Sequence, residues 1–164
     1  MSKTQPGMPA PKIALPGLDG KQNLLEDALK KGPALVAFFK ISCPVCQFTF
    51  PFLERMYESY GDGTVTFWGV SQDNAQDTKD FNAEYGVKFA SLIDADGYKA
   101  SRQFGLTNVP SVFLIQPDGK VQTASIGFSK KDLEAMAAQI AKASGKTAQP
   151  LFRPGENVPA FKPG

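Results

Sequence analysis

The chain has no histidine and only two cysteines in 164 residues. The first absence removes the commonest metal-binding side chain and the base of a Cys–His nucleophile pair. With two thiols alone, a four-ligand zinc site would need carboxylates or a second chain to complete it. The thiols, Cys43 and Cys46, are too close in sequence to be a structural disulfide framework, because a bridge between them closes almost no loop. Long apolar runs are also missing. The longest, Ala34 to Phe39, is strand-sized, against the roughly 20 residues of a membrane-spanning helix. The N-terminal MSKTQPGMPAPK lacks the apolar segment of a secretory signal. Taken as it stands, the sequence reads as cytoplasmic; a chain whose export signal had been removed would look the same and would be periplasmic or exported. Charge of one sign is scarce too. The net charge is +2, and the one short basic pair, Lys130-Lys131, stands where a helix begins and reads as a solvated face. Nothing here argues for nucleic acid or an anionic membrane as partner.

What is present suits one soluble domain with a proper core: 42% hydrophobic and 21% charged residues over this length. Residues 1–11, rich in Pro, Gly and polar groups, read as a flexible N-terminal arm, and the domain spans 12–145. Lys12 to Leu15 forms a short strand stopped by PGLDG, and Leu24 to Lys31 a helix stopped by Gly32-Pro33. PALVAFFK is apolar without alternation, as strands covered on both faces are. Phe48, Phe52, Leu53, Met56 and Tyr57 recur at helical spacing after Cys43, with a kink expected at Pro51. A strand over 64–71, a helix over 74–85, a strand over 89–94 and a short helix near 98–104 follow. SVFLI, the turn QPDGK and Val121 to Ile126 make a hairpin, and Ser129 caps a closing helix that ends at Gly145. The tail over 146–164 holds four prolines and no periodic pattern; Leu151, Phe152 and Phe161 argue that it is partly pinned to the surface. The order of elements gives an α/β sandwich with parallel strands joined by crossover helices and finished by an antiparallel pair.

A C-x-x-C that follows a strand and opens a helix has its own chemistry. Cys43 falls at the helix N-terminus, where unpaired N–H groups and the dipole favour an anion, and the thiolate is the attacking form of cysteine. Cys46 lies nearly one turn on, on the same face and sheltered, so it can reach the Cys43 sulfur and resolve a mixed disulfide. The competing readings are a shared zinc site and two inert buried cysteines. Pro44 between the thiols and the strand-to-helix junction count for the redox pair. Val109-Pro110 stands directly before SVFLI, where proline lacks the ladder donor. One reading is an ordinary trans proline at a strand start. The other is a cis peptide beside the thiols that offers the Val109 backbone to an extended substrate.

SCPVC after an apolar strand, with TNVPSVFLIQPDGKV downstream and an extra helix–strand segment between about 74 and 93, resembles the thioredoxin superfamily. The resemblance is strongest to TlpA-like and ResA-like thiol-disulfide oxidoreductases, within the redoxin and alkyl-hydroperoxide-reductase/thiol-specific-antioxidant group, and covers about residues 8 to 145. It implies a thioredoxin-like three-layer α/β/α sandwich with a mixed central sheet and a helix–strand insertion. It also implies that Cys43 attacks, Cys46 resolves and Pro110 is cis, with Ser42, Pro44, Val45 and Val109 contacting substrate. No cofactor or metal is implied. The implied partners are protein disulfides and an upstream thiol reductant or oxidant, met by a monomer.

The chain departs from that family at several points. Ser42 replaces the usual aromatic before the first cysteine, and the positions of the family's buried acids hold Ala37 and Thr49. Lys40, Glu54 and Asp73, the nearest charged residues in sequence, read as solvated surface groups. A peroxiredoxin-like thiol peroxidase is the rival enzyme. Aligned on Cys46, its Thr and Pro positions hold Cys43 and Phe39, and its arginine would be Arg102 or Arg153. A non-catalytic module binding through Phe39, Val45 and Val109 is the third reading.

Overall fold

The computed structural model describes residues 2–164. In chain order the elements are β1 (Ala14–Pro16), β2 (Gln22–Leu24), α1 (Leu25–Leu29), β3 (Ala34–Phe39), α2 (Pro44–Tyr60), β4 (Thr66–Ser71), α3 (Ala75–Tyr85), β5 (Ala90–Ile93), α4 (Lys99–Phe104), β6 (Ser111–Ile115), β7 (Val121–Ile126), β8 (Phe128–Ser129), α5 (Lys130–Ala143) and β9 (Phe161–Lys162). Five strands form one mixed sheet in the order β5-β4-β3-β6-β7. β3 pairs in parallel with β4 and antiparallel with β6, so it is the centre of the sheet. Crossover helices join the parallel pairs, and the QPDGK turn joins β6 to β7.

The unbroken apolar run of β3 follows from this position. All six side chains are buried. Leu35, Ala37 and Phe39 face a core built with Leu53 and Met56 of α2, Phe81 of α3 and Met136 and Ile140 of α5. Ala34, Val36 and Phe38 face a second core built with Leu25 and Leu29 of α1 and Phe104 of α4. The fold is thus a three-layer α/β/α sandwich of thioredoxin type, with α3 and β5 as the expected insertion. Local signals set the helix ends. The Asn74 side chain accepts from Asp77 N–H at 2.8 Å, and the Ser129 hydroxyl accepts from Asp132 N–H at 3.2 Å. Gly86 closes α3 in the left-handed conformation, at φ 69°. Pro51 lies inside α2, which continues through it to Tyr60.

Three features differ from the sequence expectation. Residues 2–11 do not hang free: Gly7 N–H donates to Val121 O at 2.8 Å, Val121 N–H to Met8 O at 2.9 Å and Ala10 N–H to Gly119 O at 2.8 Å. Thr4 is buried, with its hydroxyl donating to Phe104 O at 2.8 Å. Backbone pairing, invisible in composition, holds the arm. Leu24, expected as the first residue of the helix, closes a strand instead, Gln22–Leu24, because that segment pairs with β1. Finally, the tail ends in a strand, β9, that pairs antiparallel with β8. Upstream of it Leu151 is buried and Phe152 stacks near Phe52, with ring centroids 5.0 Å apart. Arg55 on α2 grips Glu156 with two hydrogen bonds, of 2.8 and 2.6 Å, and donates to Leu151 O at 3.1 Å. Among the described residues no helix is long and apolar enough to cross a membrane.

The Arg55–Glu156 pair makes tail attachment depend on pH. Hydrogen bonds from Arg55, then from Arg153 N–H, hold the Glu156 carboxyl down to about 2 from an ordinary 4.5. A carboxylate favoured in the folded state stabilises it above the unfolded value and loses that contribution as pH falls toward the folded one. In urea titrations the midpoint of Glu156→Gln should lie below wild type at pH 7. The gap should close between pH 4.5 and about 2. A gap that persists at the acid end would remove the charge from this account.

Candidate active site

The site is a four-residue turn between the buried end of β3 and the start of α2. Phe39 is locked in the sheet, with its carbonyl accepting from Gln72 N–H at 3.0 Å. Pro44 opens α2, where its fixed φ suits the first turn and its missing N–H costs nothing. Between them Ile41 is held through both backbone groups. Its N–H donates to Asp73 Oδ2 at 2.9 Å, and its carbonyl accepts from Gln47 Nε2 at 2.9 Å. Cys43 N–H donates to Lys40 O at 3.3 Å, which closes the turn.

This turn leaves Cys43 as the N-cap of α2, in extended conformation at φ −85° and ψ 114°. Its sulfur takes the place of a capping oxygen: Cys46 N–H donates to Cys43 Sγ at 3.1 Å. The Cys43 thiol in turn donates to Val109 O at 3.6 Å. The Val109-Pro110 peptide is cis. Cys43 is half-buried and Cys46 wholly buried; both are free thiols. Burial pushes the Cys46 thiol well above the ordinary cysteine range, and its hydrogen bond with Cys43 pushes it the same way. The two sulfurs therefore differ in access and in the ease of ionising the second, although they share one helical turn.

The other sequence candidates divide cleanly. Ser42 and Pro44, which flank Cys43 in the chain, are exposed, Val45 and Val109 are half-buried, and Pro110 is buried; the Val109 carbonyl meets the Cys43 sulfur. Phe39 is not at the surface. It is fully buried, with its ring centroid 4.3 Å from that of Phe50 and 4.9 Å from that of Phe81, so it cannot serve a binding face. Lys40 is exposed as expected. Glu54 and Asp73 are not solvated surface groups. Glu54 is buried on α2, accepting from Lys88 N–H at 2.8 Å, and burial pushes its carboxyl up. It lies eight residues, or ~12 Å of helix, beyond Cys46. Asp73 is partly buried and bound to the active turn. Thr49, at the vacant acid position, turns its hydroxyl back to Val45 O at 2.7 Å. Arg102 and Arg153 are exposed on α4 and in the tail. No group of three or more Cys, Asp or Glu is placed to hold a metal among the described residues.

Sequence reasoning missed the work of Gln47 and misread Asp73. The second had a signal. Asp73 follows the C-terminal end of β4, the parallel neighbour of β3, and functional groups collect at that end of parallel strands. Gln47 had none, since its role depends on how the turn folds back over α2.

Known proteins resemble this chain in sequence and fold. The profile of the AhpC/TSA family matches residues 6–124. Thiol-disulfide oxidoreductase ResA of Bacillus thuringiensis (strain Al Hakam) is 32% identical over 140 residues, 84% of this chain and 80% of its own. Thiol:disulfide interchange protein DsbE of Pseudomonas aeruginosa is 32% identical over 124 residues, 74% of this chain and 66% of its own. Among solved structures, the thioredoxin domain of a thiol-disulfide oxidoreductase from Bacteroides vulgatus superimposes with a TM-score of 0.71 at 25% identity, over 82% of this chain and 96% of that one. Fold and relatives together define a thiol-disulfide oxidoreductase built on the thioredoxin fold. Within that class, the chain belongs to the AhpC/TSA family.

The hold on Ile41 can be measured. Asp73→Ala leaves a partly buried N–H without its charged acceptor and is expected to lower stability by ~1.5–3 kcal/mol in urea unfolding. Asp73→Asn, which keeps an acceptor oxygen, should recover most of that loss. Equal losses in the two variants would show that the hydrogen bond is not what matters.

Proposed function

We propose that Cys43 and Cys46 exchange electrons with disulfides in protein substrates, one sulfur attacking and the other resolving. The observation that carries this is the paired contact of Cys43 Sγ: it accepts from Cys46 N–H at 3.1 Å and faces Val109 O at 3.6 Å. Once Cys43 loses its proton it is an acceptor only. It keeps the amide hydrogen bond and the favourable end of the α2 dipole, and releases the Val109 carbonyl. That carbonyl then accepts from an extended substrate strand, so the release that creates the nucleophile also opens the docking group.

The Cys43 thiolate attacks one sulfur of the substrate disulfide. The substrate S–S bond breaks, a Cys43–substrate disulfide forms, and the departing sulfur takes up a proton. Cys46 then loses its proton and attacks Cys43 Sγ. The mixed disulfide breaks, Cys43–Cys46 forms, and the second substrate sulfur leaves as a thiol. The substrate gains two electrons and two protons, and the dithiol is oxidised by the same amount. Positions 37 and 49 hold Ala and Thr, so water carries the Cys46 proton. An upstream dithiol resets the pair. Run backwards, the same steps oxidise a substrate, and direction follows from the pair's potential against glutathione. Ser42, Pro44 and Val45 meet the substrate around Cys43. Both thiols come from one chain, so the cycle needs no second copy, and the enzyme acts as a monomer.

Reduction of insulin disulfides should be lost in Cys43→Ser, whereas Cys46→Ser should still attack and accumulate a mixed disulfide visible by mass. Insulin reduction that survives Cys43→Ser would overturn the assignment. Resolution should also depend on pH in one direction. Because burial holds the Cys46 thiol protonated through the neutral range, the release rate of a pre-formed Cys43 mixed disulfide should rise about tenfold per pH unit from pH 6 to 9. A plateau near neutrality would mean that something other than Cys46 ionisation limits the step.

A further inference from the structure

The tail does more than lie on the surface. Its last strand runs to the rim of the thiol site. β9 adds to β8, with Phe161 opposite Ser129 and Lys162 opposite Phe128, and Lys130 N–H donates to Ala160 O at 3.0 Å. β8 follows directly on Gly127, whose N–H donates to Pro110 O at 2.8 Å, so this edge is continuous with the Val109-Pro110 turn. Two glycines let the tail come this close. A Cβ on Gly127, which sits at φ +72°, would stand 2.3 Å from Lys162 O, and one on Gly164 would stand 2.5 Å from Val109 O. Asn108 Nδ2 donates to Gly164 O at 3.3 Å. Lys162 Nζ lies over the Phe48 ring, 4.9 Å from its centroid, and Phe48 is two residues past Cys46 on α2. Residue 164 therefore packs on the oxygen that the Cys43 thiol also contacts.

We infer that residues 160–164 are a specificity strap for the exchange reaction. They occupy the backbone edge that an extended polypeptide would use, so a compact disulfide reaches Cys43 freely and a polypeptide disulfide only when the strap has left. This rests on Cys43 as the attacking thiol and on Val109 O as its docking acceptor. Three observations converge on it. The β8 edge is already paired, the Val109 carbonyl is already covered, and the far end of the strap is anchored by Arg55–Glu156, outside the segment that must move. The anchor keeps the strap near the site after release, so that it competes with substrate at high local concentration. Phe161, on the paired strand, is 57% exposed and contributes little to holding the strap down.

The test uses the full chain and two disulfides, bis(2-hydroxyethyl) disulfide and insulin. Gly164→Val introduces a side chain against Val109 O, and Lys162→Ala removes the cation over Phe48. Loss of a surface cation–π contact shifts an open–closed equilibrium by about two- to fivefold, so Lys162→Ala should reduce insulin faster by about that factor, and Gly164→Val, whose side chain meets a backbone oxygen, by at least as much. Turnover of the small disulfide should stay at the wild-type rate. Amide exchange at Lys130, whose N–H donates to Ala160 O, should quicken in step. Both substrates accelerating equally, or insulin turnover unchanged while Lys130 exchange quickens, would overturn the strap. A wild-type chain that turns over neither disulfide would overturn the reading of the thiols themselves, and the strap with it.

Discussion

The structure hangs on the abrupt change of environment between Phe39 and Cys43. Strand β3 is sealed on both faces and hydrogen-bonded along both edges, so it cannot shift by a residue without exposing its whole apolar set. Helix α2 packs its own apolar stripe into the same core. Four residues must therefore carry the chain from a fixed strand end to a fixed helix start. The position of Cys43 follows from that constraint, with Lys40 O, Cys46 N–H and Val109 O meeting the cysteine where the turn leaves it. Asp73 and Gln47 act on Ile41, one residue removed from Ser42 and two from the sulfur-bearing residue, and so determine where the helix begins.

From that fixed start the inequality of the two thiols follows. A residue at the N-cap looks outward along the helix axis, while the third residue after it turns under the first helical turn. Burial is the largest cause that pushes the Cys46 thiol up, and its neighbour Cys43 pushes it the same way, so the sheltered sulfur is the harder of the pair to ionise in place. Ala37 and Thr49 carry no ionisable group, and the Thr49 hydroxyl is turned back to Val45 O at 2.7 Å.

The central sheet was legible because burial on both faces leaves an unambiguous trace in β3, β4 and β6, and because Asn74, Ser129 and Gly86 mark helix ends by local chemistry. The cysteine pair was legible from spacing and from the absence of histidine. What escaped notice was held by backbone pairing or by long-range side chains. Residues 2–11 look loose by composition but hydrogen-bond to the end of α4 and to Gly119 and Val121 where β7 begins. Residues 161–162 carry no strand pattern and become one only beside Phe128. Asp73 looked like a surface charge because sequence distance says nothing about a strand end that comes to lie beside its parallel neighbour, and Glu54 because its acceptor role depends on Lys88, thirty-four residues on. Phe39 looked available for binding because the apolar run gives no hint of which face its last residue takes.

The N-terminal segment has a bearing on the clients such a protein would meet. β7 and β5 are the outer strands of the sheet, and each carries a foreign backbone: Pro9 bridges to Lys120 at the start of β7, and Gly17 bridges to Leu92 within β5. Unfolded or partly oxidised chains are rich in unsatisfied strands, which add readily to an open sheet edge. With both flanks partly shielded, such a chain gains less by adhering there. The shielding therefore works against edge-to-edge association of copies of the chain through their sheets.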